Sequence, residues 1–254
     1  MSPAAQTRLE KAAADNGFDL GGSHQADWIS FRSSHSPLRI WLKAQEGGIL
    51  IAALSRSNVL AALDGFGALI SDALPDGACG ARSVADFPTL HRLVRRAFQL
   101  SRTLPDELLR VFQSQTATLP RSTEVERSII QRVGQDIFRR GLLEYWDSRC
   151  AISGLAVPDL LRASHIKPWT DCENDAERLD VFNGLLLAPN LDAVFDGGFI
   201  TVGDAGEILV SDLLGKEARG LLGLHHDMKL RGVTDEHRRY ILWHRSRVFR
   251  QIGS

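Results

Sequence analysis

Between residues 164 and 196, the sequence places side chains that can do acid–base and metal chemistry. The members of this set are Ser164, His165, Asn183, Asp192 and Asp196. An imidazole can take a proton from water near neutral pH, since its ordinary pKa lies just below 7. Carboxylate oxygens are the ligands that hard cations such as Mg²⁺ or Mn²⁺ prefer. The set therefore combines an imidazole and an amide with oxygen ligands that suit a hard divalent cation.

The elements predicted around this set would hold its members close together. Residues 160–166 (LLRASHI) favour a strand with His165 near its end, and Asn183 begins the next strand. Pro189 starts a predicted helix that continues through Asp196. Residues four apart on a helix share one face, so Asp192 and Asp196 can point the same way. A strand–loop–strand–helix unit is the expected scaffold.

The stretches LLRASHIKPW and RLDVFNGLLLAPNLDAVFD resemble the HNH (ββα-metal) endonucleases, in particular a bacterial restriction-endonuclease-like subgroup. The resemblance extends over roughly residues 124 to 250, through RVGQDIFRRGLLEYWDSRCAISG and YILWHRSRVFR. It implies that His165 is the general base and that Asn183 orients it. Asp192, nine residues after Asn183, and Asp196, four further on, are the implied metal ligands. Ser164 stands where many members have a ligating Asp or His, and it is included in the metal set.

This resemblance implies a metal-dependent endonuclease that hydrolyses DNA phosphodiester bonds with Mg²⁺ or Mn²⁺, in a restriction or defence context. A neutral histidine base predicts activity that rises from about pH 5 towards pH 8. No CxxC pair is present in the sequence, so no structural zinc is expected. Ser164 keeps a second class open, namely a non-cleaving DNA-binding or sensor protein that retains an HNH scaffold.

The predicted fold class is α+β, with an N-terminal α+β domain over residues 1–118 and a ββα-metal domain over residues 124–254. The polar stretch Gln113–Ser122 is the predicted linker between them. Thr123 and Glu126 have capping-box spacing, and apolar residues then recur every three or four positions. This pattern predicts a helix from about residue 124 to residue 147.

The N-terminal domain is predicted to combine helices with a sheet, and we expect it to select DNA or to regulate the second domain. The predicted helices and strands are Leu9–Asn16, Trp28–Arg32, Leu38–Lys43, Gly48–Leu54 and Leu90–Leu100. Two readings apply to the aromatic residues of these strands. Trp28, Phe31 and Trp41 could stack on a base, or they could pack in the core.

Basic side chains provide candidate DNA contacts. Arg162 and Lys167 flank His165, and Arg92, Arg95 and Arg96 lie on one predicted helix in a segment without carboxylates. Phosphate contacts need local rather than net positive charge. A solvated helix face is the alternative for the three arginines of the helix.

Composition limits the remaining classes. The chain has 254 residues, of which 44% are hydrophobic and 24% charged, with a net charge of −1, which is typical of a folded soluble protein. No apolar stretch approaches the roughly 20 residues that span a bilayer, and no secretory signal is visible. Three cysteines make no disulfide framework, so a reducing cytoplasm is expected. Paired cuts would require a homodimer, for which the sequence offers no diagnostic interface.

Overall fold

The computed structural model describes residues 2–45, 47–63, 65–71, 73–120 and 122–251. Within it the chain forms two compact units, Met1–Leu104 and Pro105–Ser254. The architecture is α+β, as the sequence predicted. None of the helices in the described part of the chain combines the length and apolarity needed to cross a membrane.

The N-terminal unit begins with a helix and ends with a helix, and most of its strands lie between them. In chain order its elements are α1 (Pro3–Ala14), β1 (Leu20–Gln25), β2 (Trp28–Arg32), β3 (Ile40–Ala44), β4 (Leu50–Leu54), α2 (Ser57–Ala61), β5 (Ala68–Ile70), β6 (Gly80–Val84) and α3 (Phe87–Thr103). The described strands form one antiparallel sheet in the order β1-β2-β3-β4-β6-β5.

The two faces of this sheet are covered differently. Strand side chains alternate between faces, so Ile29 and Phe31 lie opposite to Trp28 and Ser30. The Ile29 face packs against helices, as the hydrogen bond from Arg82 to the Leu60 carbonyl of α2 illustrates. We call the other side the tryptophan face, because it carries Trp28 and Trp41.

On the tryptophan face, the aromatic residues pack in a core. Trp28 and Trp41 are 7% and 1% exposed, and they cluster with Ile51 and with a covering segment that includes Leu74 and Ala78. Phe31, on the helix face, is also buried. The structure therefore favours core packing over base stacking for all three aromatic residues.

The C-terminal unit contains the predicted strand–loop–strand–helix segment. In chain order its elements are α4 (Pro105–Thr116), α5 (Glu124–Tyr145), β7 (Arg162–His165), α6 (Asp175–Arg178), β8 (Gly184–Leu187), α7 (Pro189–Asp196), β9 (Ile200–Val202), β10 (Ile208–Val210), α8 (Lys216–Leu221) and α9 (Asp235–Arg247). The capping box of Thr123 and Glu126 begins α5, as predicted. Strands β9 and β10 form an antiparallel hairpin around Gly203–Gly206.

Strands β7 and β8 pair antiparallel, with Ser164 opposite Leu185 and His165 opposite Gly184. Helix α7 follows directly, because Pro189 has the preset φ of a first helical residue. Helix α5 packs closely on this pair. A Cβ atom at Gly184 would lie 2.5 Å from the Phe138 ring and 2.8 Å from Leu142, so this close approach requires glycine.

The two units divide between Leu104 and Pro105, nearer the N-terminus than the linker expected from the sequence. Helix α4 continues to Thr116, where the expected linker has already begun, and it belongs to the C-terminal unit. Phe112 and Thr116 are buried, while the polar residues between them are exposed. The outward-facing glutamines and serine make this turn of helix look like a linker. Arg121, within the expected linker, lies outside the described residues.

Candidate active site

A pocket of about 370 Å³ lies at the end of β7 and is bordered by β7, α7 and α9. Its lining includes Ser164, His165, Trp169, Asp196 and His244. The structure thus brings the predicted base and two of the three predicted metal-site residues to one cavity. Asp192 lies on the same helix as Asp196, one turn earlier.

His165 is held on three sides. Its Nε2 lies 2.9 Å from the carbonyl oxygen of Arg178, its ring stacks on Phe138 at 3.8 Å, and Trp169 meets it edge-on at 5.6 Å. A carbonyl oxygen can only accept, so Nε2 carries the proton of the neutral ring. Nδ1 then has the free lone pair that a general base needs.

The surroundings of His165 also change its pKa. Burial lowers the pKa from 6.5 to about 4, against a smaller opposing effect of the hydrogen bond to Arg178. The imidazole is therefore neutral throughout the physiological range. This lowered pKa moves the titration of His165 towards the acid side of the range from pH 5 to pH 8, in which the sequence predicts a rise in activity.

Asn183 is buried and ties together the segments that flank the base. Its Oδ1 accepts from the Lys167 amide at 2.8 Å, and its Nδ2 donates to the carbonyls of Lys167 and Glu177 at 3.1 Å each. Its own carbonyl accepts from the Ile166 amide. Asn183 thus holds the residues that follow His165. It also holds the segment that contains Arg178, whose carbonyl accepts the hydrogen bond from His165 Nε2. It is placed to position His165, and its zero exposure keeps it away from substrate.

Helix α9 anchors the turn that leads to Asn183. The buried carboxylate of Asp180 accepts from the Phe182 amide, from Tyr240 at 2.8 Å and from Arg239 at 2.6 Å. Burial raises the pKa of Asp180, while these three hydrogen bonds oppose the rise. The anchor connects the C-terminal helix to the base through the turn that carries Asn183.

The two aspartates of α7 lie beside the Ser164 hydroxyl. The Ser164 hydroxyl donates to Asp196 Oδ1 at 2.8 Å. Desolvation raises the pKa of Asp192, and the nearby charge of Asp196 adds to the effect. Desolvation raises the pKa of Asp196 as well. The Ser164 hydroxyl and the charge of Arg162 oppose the rise at Asp192, and a cation beside the two carboxylates would oppose it further.

These donors fit a hard cation that keeps part of its water shell. Mg²⁺ is commonly bound through one or two carboxylates with waters and substrate phosphate completing the octahedron. Within the described residues, no group of three or more His, Cys, Asp and Glu side chains is arranged to hold a metal ion. Ser164 adds a hydroxyl beside the two carboxylates, and the sequence resemblance implies a charged ligand at its position in many members of the family.

The predicted DNA contacts lie in contrasting surroundings. Arg162 is exposed on the same strand face as Ser164, and no described residue forms a hydrogen bond or ion pair with it. Lys167 is buried, and its ammonium donates to Glu177 at 2.8 Å, so the structure gives it an internal partner. The remaining three lie on α3 of the N-terminal unit; of these, Arg92 and Arg95 are exposed and Arg96 is half-buried.

Sequence reasoning missed four residues around the base, namely Phe138, Trp169, Arg178 and His244. Arg178 contributes only a backbone carbonyl, which leaves no trace in the residue type. For Trp169 a signal existed in Gly134, where a Cβ atom would lie 2.6 Å from the indole ring. His244 Nε2 donates to the Phe195 carbonyl, its Nδ1 bonds to the Thr201 hydroxyl, and its ring stacks on Phe195.

Residues 150–203 match the family model described as HNH endonuclease (HNH_2). This stretch contains β7, β8 and α7 together with the base and both aspartates. The C-terminal unit therefore contains an HNH nuclease domain. None of the curated proteins matches the chain.

Proposed function

We propose that this chain is a metal-dependent DNA endonuclease in which His165 is the general base. HNH nucleases generally use divalent metal ions, and their substrate is DNA. The observation that carries the proposal is the hydrogen bond from His165 Nε2 to the Arg178 carbonyl, since it leaves Nδ1 as the proton acceptor. Ser164 and Asp196 line the same pocket as this imidazole.

In the proposed reaction, Nδ1 of His165 takes a proton from water, and the resulting hydroxide attacks the phosphorus of the scissile phosphodiester. The bond from phosphorus to the leaving sugar oxygen breaks, and that oxygen takes a proton from solvent water. A positioned base of this kind contributes about 10²–10⁴-fold. Phe138 and Trp169 keep the ring in place, and the contacts of Asn183 keep the Arg178 carbonyl at Nε2.

Asp192 and Asp196 are the proposed metal ligands, with the Ser164 hydroxyl beside them. A bound Mg²⁺ or Mn²⁺ supplies stabilisation of the charge that develops on the phosphate and on the leaving oxygen. Arg162 lies on the strand face of Ser164 and is the proposed phosphate contact. Lys167 is left out of this contact set because its ammonium is already paired with Glu177.

Cleavage of supercoiled plasmid tests the proposal. Purified full-length protein should convert the plasmid to nicked or linear form with Mg²⁺ or Mn²⁺ and not with EDTA. His165→Ala should slow this conversion by about 10²-fold or more. The matched control is His226→Ala, because His226 is exposed in a loop of the same unit and should cut like the wild type.

A second function is favoured by one observation, the hydroxyl of Ser164 in place of a third ligand. A protein that binds DNA but leaves plasmid intact with either metal would be a non-cleaving DNA-binding protein on an HNH scaffold.

A His165→Ala protein that cuts at the wild-type rate would instead remove His165 from the mechanism. The restriction or defence context implied by the sequence resemblance is part of the proposal. Comparing cleavage of modified, unmodified and single-stranded DNA tests it.

A further inference from the structure

A second cavity lies in the N-terminal unit, on the tryptophan face of its sheet. It is an open groove of about 540 Å³ between β1, β2 and the start of β3. Ser30 and Arg32 reach it from β2, Ser23 from β1, and Arg39 from the residue before β3. The groove is open to the outside within its unit, and all of its lining residues come from the segment 19–39.

Arg39 is a cation whose hydrogen-bonding capacity is only partly used. Its guanidinium lies over the Trp41 ring at 4.6 Å and donates from Nη2 to the Ser30 hydroxyl at 3.3 Å. Its Nε is buried and has no hydrogen-bond partner. Arginine stays charged at any physiological pH, and its planar donors match the oxygens of an anion. A half-buried guanidinium without a carboxylate partner therefore indicates a place for an anionic ligand.

Arg32 adds a second unpaired cation to the groove. It is exposed two residues after Ser30, on the same face, and no described residue pairs with it. The hydroxyls of Ser23 and Ser30 hydrogen-bond to each other at 2.5 Å, which leaves one O–H of the pair as a further donor. A tetrahedral phosphate presents oxygens in several directions, which suits two guanidinium groups and a hydroxyl better than a planar carboxylate does.

One carboxylate, that of Asp19, borders the groove, and its hydrogen bonds are made to Ser34. Asp19 accepts from the amide of Ser34 at 2.8 Å and from its hydroxyl at 2.5 Å. These hydrogen bonds hold the pKa of Asp19 below its usual value, so it is charged and engaged. With Arg32 and Arg39 opposite, the groove keeps an excess of positive charge.

We propose that this groove binds a phosphate group, belonging either to a DNA strand or to a free nucleotide, through Arg32, Arg39 and the paired serines. The choice of nucleic acid chemistry rests on the proposed nuclease function. Because Trp28 and Trp41 are buried, the groove offers no ring for base stacking. Contact through phosphate alone predicts binding that does not depend on base sequence.

Binding measured in EDTA tests the groove without requiring cleavage. Full-length wild type, Arg32→Gln and Arg39→Lys are titrated against a fluorescent 20-base-pair duplex by anisotropy, and against deoxyadenosine monophosphate by calorimetry. Arg32 is exposed, so its replacement leaves the fold intact, and Arg39→Lys keeps the charge but loses the planar fork. The matched control is Arg8→Gln, an exposed arginine of α1 that stacks on Phe87.

If a DNA strand is the source, Arg32→Gln should weaken duplex binding about 3- to 10-fold and reduce the salt slope by about 1. If a free nucleotide is the source, both variants should lose monophosphate binding while duplex binding stays constant. In either case Arg8→Gln should behave as the wild type. Wild-type binding of both probes by Arg32→Gln and Arg39→Lys would overturn the proposal. This outcome is independent of whether the protein cuts DNA, so the two proposals can fail separately.

Discussion

The imidazole of His165 has contacts that a solvated histidine lacks, and they define its protonation. Stacking on Phe138 and partial burial favour the neutral ring, and the Arg178 carbonyl selects the tautomer. A base prepared in this way needs no proton loss before it acts near neutral pH. The same lowered pKa makes the imidazole a weaker proton acceptor than an ordinary histidine near neutral pH.

The pH dependence of cleavage follows from the lowered pKa of His165. The base works only when neutral, and its neutral fraction rises with pH through about 4 rather than through 6.5. Single-turnover cleavage at saturating Mn²⁺ should therefore vary little between pH 6 and pH 8 and decline as the pH approaches 4. A tenfold rise between pH 5.5 and pH 7 that disappears in His165→Ala would show that the pKa is ordinary.

The two aspartates of α7 should differ in their importance for the metal. Asp192→Asn should sharply weaken the dependence of cleavage on Mg²⁺ or Mn²⁺, since a neutral amide is a poor ligand for a hard dication. Asp196→Asn should have a smaller effect, because the Ser164 hydroxyl can still donate to the amide oxygen. Metal titrations of cleavage and of Mn²⁺ binding compare the two variants. Negligible effects of both would place the cation elsewhere, for example on the acidic segment 171–175.

Secondary structure elements with a strong periodic pattern were predictable from the sequence. The strand at Trp28–Arg32, the helix at Pro189–Asp196 and the capping box that begins α5 agree closely with the structure. Strand β1 was missed because LGGSHQ is an exposed edge strand with a bulge, so it has neither apolar alternation nor a core face. Strand β6 was missed because small residues fill most of it, and α4 because its polar face resembles a linker.

Only those parts of the candidate site that consist of functional side chains were predictable from the sequence. His165, Asp196 and Ser164 come to one pocket because local spacing along two strands and one helix fixes their positions. The Arg178 carbonyl and the anchoring of Asp180 by α9 involve backbone atoms and residues about 60 positions apart. No local pattern encodes such contacts, since they arise from the packing of the whole unit.

The side-chain hydrogen bonds of Asn183 should be essential to both stability and catalysis. Asn183→Ala removes the partners of the buried Lys167 amide and of two carbonyls, and each buried group left unsatisfied costs about 1–3 kcal/mol. Urea unfolding should show this loss, and cleavage should fall because Arg178 no longer holds His165. His165→Ala is the comparison, since it should lose cleavage with little loss of stability. Full activity in Asn183→Ala would contradict the positioning role.

At the scale of the whole molecule, the division into two compact units suggests a division of labour. The C-terminal unit contains the proposed base, the proposed metal ligands and the elements that hold them. Such a site touches mainly the sugar-phosphate backbone, which carries no direct sequence information. Selection of DNA by sequence, modification or shape must then come from other surfaces, and we expect them on the N-terminal unit, outside its phosphate groove.

Separating the two units tests this division. A protein that begins at Pro105 keeps α4 and the entire C-terminal unit, so it should fold, bind Mn²⁺ and nick DNA weakly without preference. The full chain should prefer one class of DNA, and its binding should weaken as salt rises, because phosphate contacts release counterions. Both proteins are compared on modified, unmodified and single-stranded DNA under the same conditions. Identical substrate profiles would assign residues 1–104 to assembly or regulation instead, because selection would then reside in the nuclease unit itself.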